Sequence, residues 1–143
     1  MSVTLLYQKY KQCGSVSTDT RQILPGCLFF CLRGDRFNGN RFAEAALTAG
    51  AGWVVIDDPS FSHLPHTTLV DDVLKALQDL ARHHRTQLNI PVLGLTGSNG
   101  KTTSKELVNA VLSKRYRTLA TKGNLNNHIG VRSEEHTSEL QSP

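Results

Sequence analysis

The stretch that decides the fold of this chain is LGLTGSNGKTTSKE, residues 93–106. It contains T-G-x-x-G-K-T, the tight form of a loop that holds a nucleotide phosphate between a strand and a helix. The general form of this loop has another glycine five residues before Gly100, and here Leu95 takes that place. The surroundings keep the order that such a loop needs, because the pattern predicts a short apolar strand over 92–95 and a helix from Lys101 onward.

Each part of the loop matches a requirement of phosphate binding. Gly97 and Gly100 permit backbone conformations that turn amide groups toward an anion, and the helix that follows adds its positive end. Lys101 is placed to reach the β and γ phosphates, and the hydroxyl of Thr102 is placed to bind Mg²⁺. The alternative is a glycine-rich turn with a surface lysine. The coincidence of strand, spacing, Lys-Thr pair and helix argues against that alternative.

Composition sets broad limits on function. The 143 residues suffice for one ordinary domain or two small ones, and the net charge is +4. The basic residues are scattered, without a basic run interleaved with aromatics, so we expect no nucleic-acid role. No apolar run reaches membrane length, and we expect no membrane association. The three cysteines lack a C-x-x-C spacing, and the favoured interpretation is buried, reduced thiols in a cytoplasmic protein.

Residues 1–86 alternate between strand and helix patterns, which predicts a small α/β domain. An amphipathic helix capped by Ser2 opens the chain, and a strong helix near 71–88 is capped by Asp71 or Asp72. The remaining elements are two short strands around the turn at Pro25-Gly26, a helix ending at Gly50, and strands in GWVVID and TTLV. Beyond the glycine loop, YRTLAT at 116–121 is predicted to be a further strand.

Three motifs in order carry a family resemblance. TGSNGKTTSKE is followed some twenty residues later by TKGNLNNHIGV, and this pair resembles the Mur ligase family. The earlier stretch beginning STDTRQILPGCLFFCLRGDRF is similar to the uridine-substrate domain of that family. The resemblance runs from about Ser15 to Val131. It implies an α/β fold with a uridine-substrate domain over 1–86, followed over 87–131 by the truncated start of a P-loop ATPase domain.

The resemblance also implies a reaction. ATP, with Mg²⁺, would phosphorylate the peptide carboxylate of UDP-N-acetylmuramoyl-tripeptide, and the amine of D-alanyl-D-alanine would attack the acyl phosphate. Charge develops on the transferred group, so electrostatic clamping carries much of the catalysis, with Lys101 as the catalytic residue. A monomer is expected. The residues that would hold ATP are Gly97, Ser98, Asn99, Gly100, Lys101, Thr102 and Thr103, with Thr102 also binding the metal.

Two further groups are candidate substrate-binding residues. Asn124, Asn126 and Asn127 would border the cleft between nucleotide and substrate, although loop and turn chemistry explains them equally well. The set Thr18, Asp19 and Arg21 would bind or shape the uridine-substrate pocket. A local ion pair between Asp19 and Arg21 remains the alternative.

Residues 132–143, RSEEHTSELQSP, are expected to be a non-native tail. The family pattern has proline after Gly130-Val131, whereas this chain has Arg132. The twelve residues match in full the translation of a common short-read sequencing adapter, so they are excluded from fold reasoning. The expectation is a reading frame that leaves the gene at Val131, without the acidic metal ligands, a catalytic lysine and the domain that recognises D-alanyl-D-alanine.

Two alternatives to this function stay open. One is a sister ligase that adds the third peptide residue. The other is a P-loop module that is not a ligase, such as a nucleotide-dependent switch, which would have no uridine site in residues 1–86.

Overall fold

The computed structural model describes residues 2–34 and 37–121. The chain divides into two compact units, Met1–Leu88 and Asn89–Pro143. Because they are separate units, each is described by itself. No helix among the described residues is long and apolar enough to cross a membrane.

Over residues 2–34 and 37–88, the first unit contains three helices and two sheets. The helices are α1 (Val3–Cys13), α2 (Ala43–Thr48) and α3 (Val73–Gln87). The strands of the main sheet are β1 (Val16–Ser17), β2 (Leu28–Phe30), β5 (Trp53–Ile56) and β6 (Thr67–Leu69), and a small ribbon is formed by β3 (Arg33–Gly34) and β4 (Phe37–Asn38). Single turns of 3₁₀ helix occur at Thr20–Gln22, Gly39–Phe42 and Pro59–Phe61.

The main sheet is parallel throughout, in the order β1-β2-β5-β6. Parallel strands need crossover connections. The connection from β2 to β5 contains α2, and those from β1 to β2 and from β5 to β6 contain single 3₁₀ turns. The ribbon β3–β4 is antiparallel and lies within the crossover from β2 to β5. The fold class expected for this unit, a small α/β domain, is confirmed.

The core has two layers, one on each face of the sheet. On one face α1 and α3 cover Leu28, Phe30 and Val55, all fully buried. On the other face α2 covers a cluster that includes Cys27, Phe29 and Cys31. Because side chains alternate between the two faces of a strand, Cys27, Phe29 and Cys31 lie on the same face. Burial raises the pKa of the Cys31 thiol to about 12, so this cysteine is an unreactive core residue.

Helix α3 lies within the predicted range, and the structure decides between its two candidate caps. Asp72, rather than Asp71, is the cap, and its Oδ1 accepts from the amide of Lys75 at 2.8 Å. The apolar stripe of α3 is buried at Val73, Leu77, Leu80 and Ala81, while Leu74 and Leu88 are half-buried. The sequence pattern missed His84, which is buried and lies with its Nδ1 3.3 Å from the hydroxyl of Tyr7.

The second unit contains α4 (Lys101–Leu112), which confirms the helix predicted after the glycine loop. The strands predicted at 92–95 and 116–121 are wrong, because the described part of this unit contains no strand. The physical reason is that a strand requires a hydrogen-bonded neighbour. None is present among residues 89–121, and Val92 and Leu93 are 58% and 65% exposed.

Candidate functional site: a cavity in the first unit and a glycine loop in the second

A cavity of about 370 Å³ lies in the first unit, beyond the carboxyl ends of β1 and β2. Ligands of open parallel sheets bind outside this edge of the strands. The turn that follows β1 forms one wall, the end of β2 forms the floor, and the ribbon and the turn after it form the other wall. The lining residues are Thr18, Asp19, Thr20, Arg21, Phe29, Phe30, Cys31, Leu32, Phe37, Gly39 and Phe42.

Asp19 and Arg21 form a fork in the wall that follows β1. Asp19 caps the 3₁₀ turn by accepting from the amide of Arg21 at 2.9 Å. Its two oxygens also accept from Nε and Nη2 of Arg21, with a shortest distance of 2.6 Å. These hydrogen bonds lower the pKa of Asp19 to about 2, with the side-chain bonds to the guanidinium as the largest cause. The Nη1 edge of the guanidinium lies outside this pairing, and the side chain is 85% exposed.

The opposite wall is held by a buried polar network around Asn40. Its Nδ2 donates to Oδ1 of Asn38 at 2.9 Å and to Oδ1 of Asp57 at 2.8 Å, and its Oδ1 accepts from the amide of Asp57 at 3.1 Å. Arg33, from β3, places Nε 2.6 Å from the same carboxylate. Asn40 is fully buried, and a buried amide is retained at low cost only when its groups are paired.

Gly39 brings the same wall close to the sheet. Its amide donates to the carbonyl of Leu32 at 2.9 Å. A Cβ atom at residue 39 would lie 2.2 Å from that carbonyl oxygen, a distance that no side chain could occupy. Glycine is therefore required where the turn approaches the end of β2.

The glycine loop of the second unit has the backbone geometry that the sequence predicted. Gly97 and Gly100 have φ of 146° and 78°, values that favour glycine, and α4 begins directly after Gly100. The ammonium group of Lys101 donates back to the carbonyl of Gly97 and lies 3.4 Å from the carbonyl of Ser98. Lys101 thus points back into the glycine loop.

The predicted site residues fall into three groups. Thr18, Asp19 and Arg21 are brought together on the cavity wall. The set from Gly97 to Thr103 lies in the second unit, with Thr102 and Thr103 exposed on the first turn of α4. Asn124, Asn126 and Asn127 lie outside the described residues. Over 2–34 and 37–121, no cluster of three or more His, Cys, Asp or Glu side chains is placed to hold a metal ion.

Sequence reasoning missed the residues that build the second wall. Asn40 and Asp57 are 17 positions apart, so no short-range pattern connects them. Phe37 and Phe42 were inside the stretch that carried the resemblance, but no role was assigned to them. Their signal was weak, since two phenylalanines in a polar segment are also compatible with an ordinary surface turn.

A parallel α/β sheet with a cavity at its carboxyl edge, and a glycine loop that leads into a helix, are both features typical of nucleotide-binding α/β proteins. A family model described as "Mur ligase family, catalytic domain" matches residues 13–85. A second, described as "Mur ligase middle domain", matches residues 95–139. The chain belongs to the Mur ligase family. The glycine loop and Lys101 lie in the part matched by the middle-domain model.

The chain is also similar to individual ligases of this family. The chain is 45% identical over 134 residues to the UDP-N-acetylmuramoyl-tripeptide–D-alanyl-D-alanine ligase of Bacillus subtilis, covering 90% of this chain and 29% of that protein. It is 46% identical over 117 residues to the ligase of the same name from Escherichia coli, covering 82% and 26%. The chain thus spans less than a third of the length of these relatives.

Two solved structures of MurF ligases are similar to this chain. The MurF ligase of Thermotoga maritima in complex with ADP is 28% identical, with a TM-score of 0.75, over 85% of this chain and 28% of that one. MurF of Acinetobacter baumannii is 29% identical, with a TM-score of 0.78, over 94% of this chain and 32% of that one. The α/β fold predicted for the chain is therefore that of a Mur ligase fragment.

Proposed function

We propose that this chain is the N-terminal part of an ATP-dependent ligase that joins D-alanyl-D-alanine to UDP-N-acetylmuramoyl-tripeptide through an acyl phosphate, in the synthesis of peptidoglycan precursors. One observation carries the proposal. The two family models match in order along one chain, the first over the unit with the cavity and the second over the unit with the phosphate loop. The ligases of B. subtilis and E. coli named above support the dipeptide as the added group.

The first unit would bind the uridine end of the acceptor substrate. Its cavity contains Thr18, Asp19 and Arg21, and a guanidinium with an exposed edge suits the diphosphate of a uridine nucleotide. The carboxylate of Asp19 would orient Arg21 rather than compete with the substrate, since its hydrogen bonds are directed at that side chain. The ion pair and the binding role are therefore compatible.

The second unit would bind ATP through Gly97 to Thr103. Lys101 would exchange its bonds with the loop carbonyls for bonds with the β and γ phosphates. The hydroxyl of Thr102 fits as one ligand of Mg²⁺, the hard cation that oxygen donors and phosphates prefer. When bound, Mg²⁺ would neutralise charge on the transferred phosphoryl group. Asn124, Asn126 and Asn127 would line the substrate side of this site.

The sister ligase remains the second candidate on one specific observation. The UDP-N-acetylmuramoyl-L-alanyl-D-glutamate–2,6-diaminopimelate ligase of Geobacillus thermodenitrificans is 32% identical over 83% of this chain. That identity is lower than the 45% and 46% shared with the dipeptide-adding ligases of B. subtilis and E. coli. Membership of the Mur ligase family argues against a P-loop module of another class.

The remaining features of the proposal concern the cellular setting. The ligase would act as a monomer in the cytoplasm, where ATP and uridine-linked precursors are present.

Residues 132–143 would be foreign to the gene, and sequencing the source locus tests this directly. A locus that continues from Val131 with proline and an apolar helix supports it, whereas a locus that encodes RSEEHTSELQSP removes the argument.

The ligase assignment is tested by Lys101→Ala in the product of the uninterrupted gene. Loss of a positioned charge at the transferred phosphoryl group costs on the order of 3 kcal/mol or more in the transition state, or about 100-fold or more in rate. Affinity for the uridine-linked tripeptide should stay unchanged. Lys114→Ala, at an exposed lysine beyond α4, is the matched control and should keep parental turnover. A Lys101→Ala enzyme with parental turnover would contradict the assignment of the loop.

The 143-residue chain alone is expected to have no ligase activity. Among residues 2–34 and 37–121, the proposal assigns one metal ligand, Thr102, and assigns no residue to D-alanyl-D-alanine, so the amine would react at its bulk concentration. The assay is phosphate release with ATP, Mg²⁺, the uridine-linked tripeptide and D-alanyl-D-alanine. Substrate-dependent release above a Lys101→Ala control would show that the chain contains a more complete active site.

A further inference from the structure

Two aromatic side chains line the wall of the first-unit cavity that is formed by the ribbon and the turn after it. The rings of Phe37, in β4, and Phe42, at the end of the next turn, are stacked with centroids 5.3 Å apart and an interplanar angle of 16°. Both residues line the cavity. They are nevertheless exposed, Phe37 to 54% and Phe42 to 38%. The pair is therefore not part of the core of this unit.

The pair is held in place by the polar network behind it. Asn38 and Asn40 lie between the two phenylalanines in sequence, and Asn40 is fully buried on Asp57. Gly39 fixes the turn against Leu32. The buried network therefore fixes the backbone of the turn between the two phenylalanines, and preorganisation of this kind lowers the entropic cost of binding.

The charge on the cavity indicates what the surface accepts. Arg21 lies on the opposite wall, oriented by Asp19 and with its Nη1 edge outside that pairing. An exposed aromatic face and an oriented guanidinium in one cavity suit a planar ring joined to an anion. A nucleotide has this combination, because its base stacks on aromatic side chains and its phosphates bind arginine.

We propose that Phe37 and Phe42 form an aromatic platform on which the base of a uridine nucleotide stacks. The inference rests on the proposed function for the identity of the nucleotide. The base contacts the exposed face of Phe37, and Phe42 supports that ring from behind. The base does not enter between the rings, because insertion would need a separation of about 7 Å, twice the van der Waals contact distance of about 3.5 Å. The observed separation is 5.3 Å.

The test measures binding of UDP, uridine and inorganic pyrophosphate to the 143-residue chain by titration calorimetry. Phe37→Leu keeps an apolar side chain and removes the ring. We expect it to weaken UDP and uridine binding by about 5- to 100-fold, the range of base–aromatic stacking, and to leave pyrophosphate binding unchanged. Phe42→Leu should have a smaller effect of the same kind, and Phe37→Trp should retain binding. Tyr116→Leu, at a residue that is 59% exposed in the second unit, is the matched control and should change nothing.

A second measurement does not depend on any variant. Stacking places the H5 and H6 protons of the uracil ring over an aromatic face, so their NMR signals should shift upfield when UDP binds to the unaltered chain. UDP binding without this shift, or with unchanged affinity in Phe37→Leu, would overturn the platform and leave the uridine site of the proposed function standing. No UDP binding by the unaltered chain would overturn both.

Discussion

The two units differ in how far their apolar side chains are covered. In the first unit, Phe30 and Val55 are fully buried between sheet and helices. In the second, Leu93 and Val111 are 65% and 71% exposed, and α4 has no buried residue. Both units match family models, and both contain apolar runs that predict strands. Over the described residues, apolar runs form strands in the unit that supplies hydrogen-bonded neighbours and form none in the other unit.

The largest predicted effect comes from truncation of one apolar side chain in each unit. Phe30→Ala should destabilise the first unit by about 3–5 kcal/mol, because it removes buried area and leaves a cavity. Val111→Ala should change stability by less than about 0.5 kcal/mol, because the side chain is already exposed. Urea unfolding followed by the fluorescence of Trp53, the only tryptophan, reports on the first unit, and far-UV circular dichroism adds α4. Equal shifts for the two variants would remove the distinction.

The second prediction concerns the buried polar network of the first unit. Asn40→Leu should cost about 1–3 kcal/mol, because it leaves the amide of Asp57 without its acceptor and removes one of the hydrogen bonds to the Asp57 carboxylate. Gln12→Leu, on the exposed side of α1, is the control and should stay within about 0.5 kcal/mol. A chain stabilised by Asn40→Leu in urea unfolding would show that the network is not needed to hold this wall.

The third prediction separates two adjacent carboxylates at the start of α3. Asp72→Ala should cost about 1 kcal/mol, because its side chain caps the helix by accepting from Lys75. Asp71→Ala should have a smaller effect, since Asp71 is not the capping residue. Thermal unfolding of the two variants measures the difference, and the reverse order would move the cap to Asp71.

The smallest predicted effect is a pH dependence. The pKa of Asp19 is lowered from its ordinary 3.8 to about 2 by Arg21. A lowered pKa means that the pair contributes stability above about pH 4, and that this contribution is lost as the pH falls through 2. Titration of the carboxyl carbon by NMR should give a midpoint near 2 for Asp19 that rises toward 3.8 in Arg21→Gln. Asp58, whose pKa is lowered chiefly by hydrogen bonds from Ser60, is the internal control and should keep its midpoint. An unchanged Asp19 midpoint in Arg21→Gln would show that the Arg21 side chain does not lower the pKa of Asp19.

Local patterns predicted much of this chain. The capped helices α1 and α3, the strand at 53–56 and the glycine geometry at residues 97 and 100 follow from periodicity and residue type, and the structure confirms them. These features depend on neighbours within a few positions. The sequence could therefore specify them without knowledge of the rest of the fold.

Features that depend on distant residues were not predicted. The contact of Asn40 with Asp57 and the burial of His84 depend on how elements meet. The stacking of Phe37 on Phe42 depends on the conformation of the turn between them. The strand predicted at 92–95 was wrong for the same reason, because a strand depends on a partner that lies elsewhere in a chain. Within the candidate site, Thr18, Asp19 and Arg21 came from the resemblance, and the wall that faces them became apparent only in the structure.

Amide hydrogen exchange on the 143-residue chain tests the contrast between the two units most directly. We predict that amides of β5, over Val54–Ile56, exchange only through global unfolding of the first unit, because both faces of that strand are buried. The amides of α4 should exchange through local opening, at rates at least about 100-fold faster. Equal protection of β5 and α4 would contradict the proposed difference between the units, since it would mean that the second unit is as firmly packed as the first.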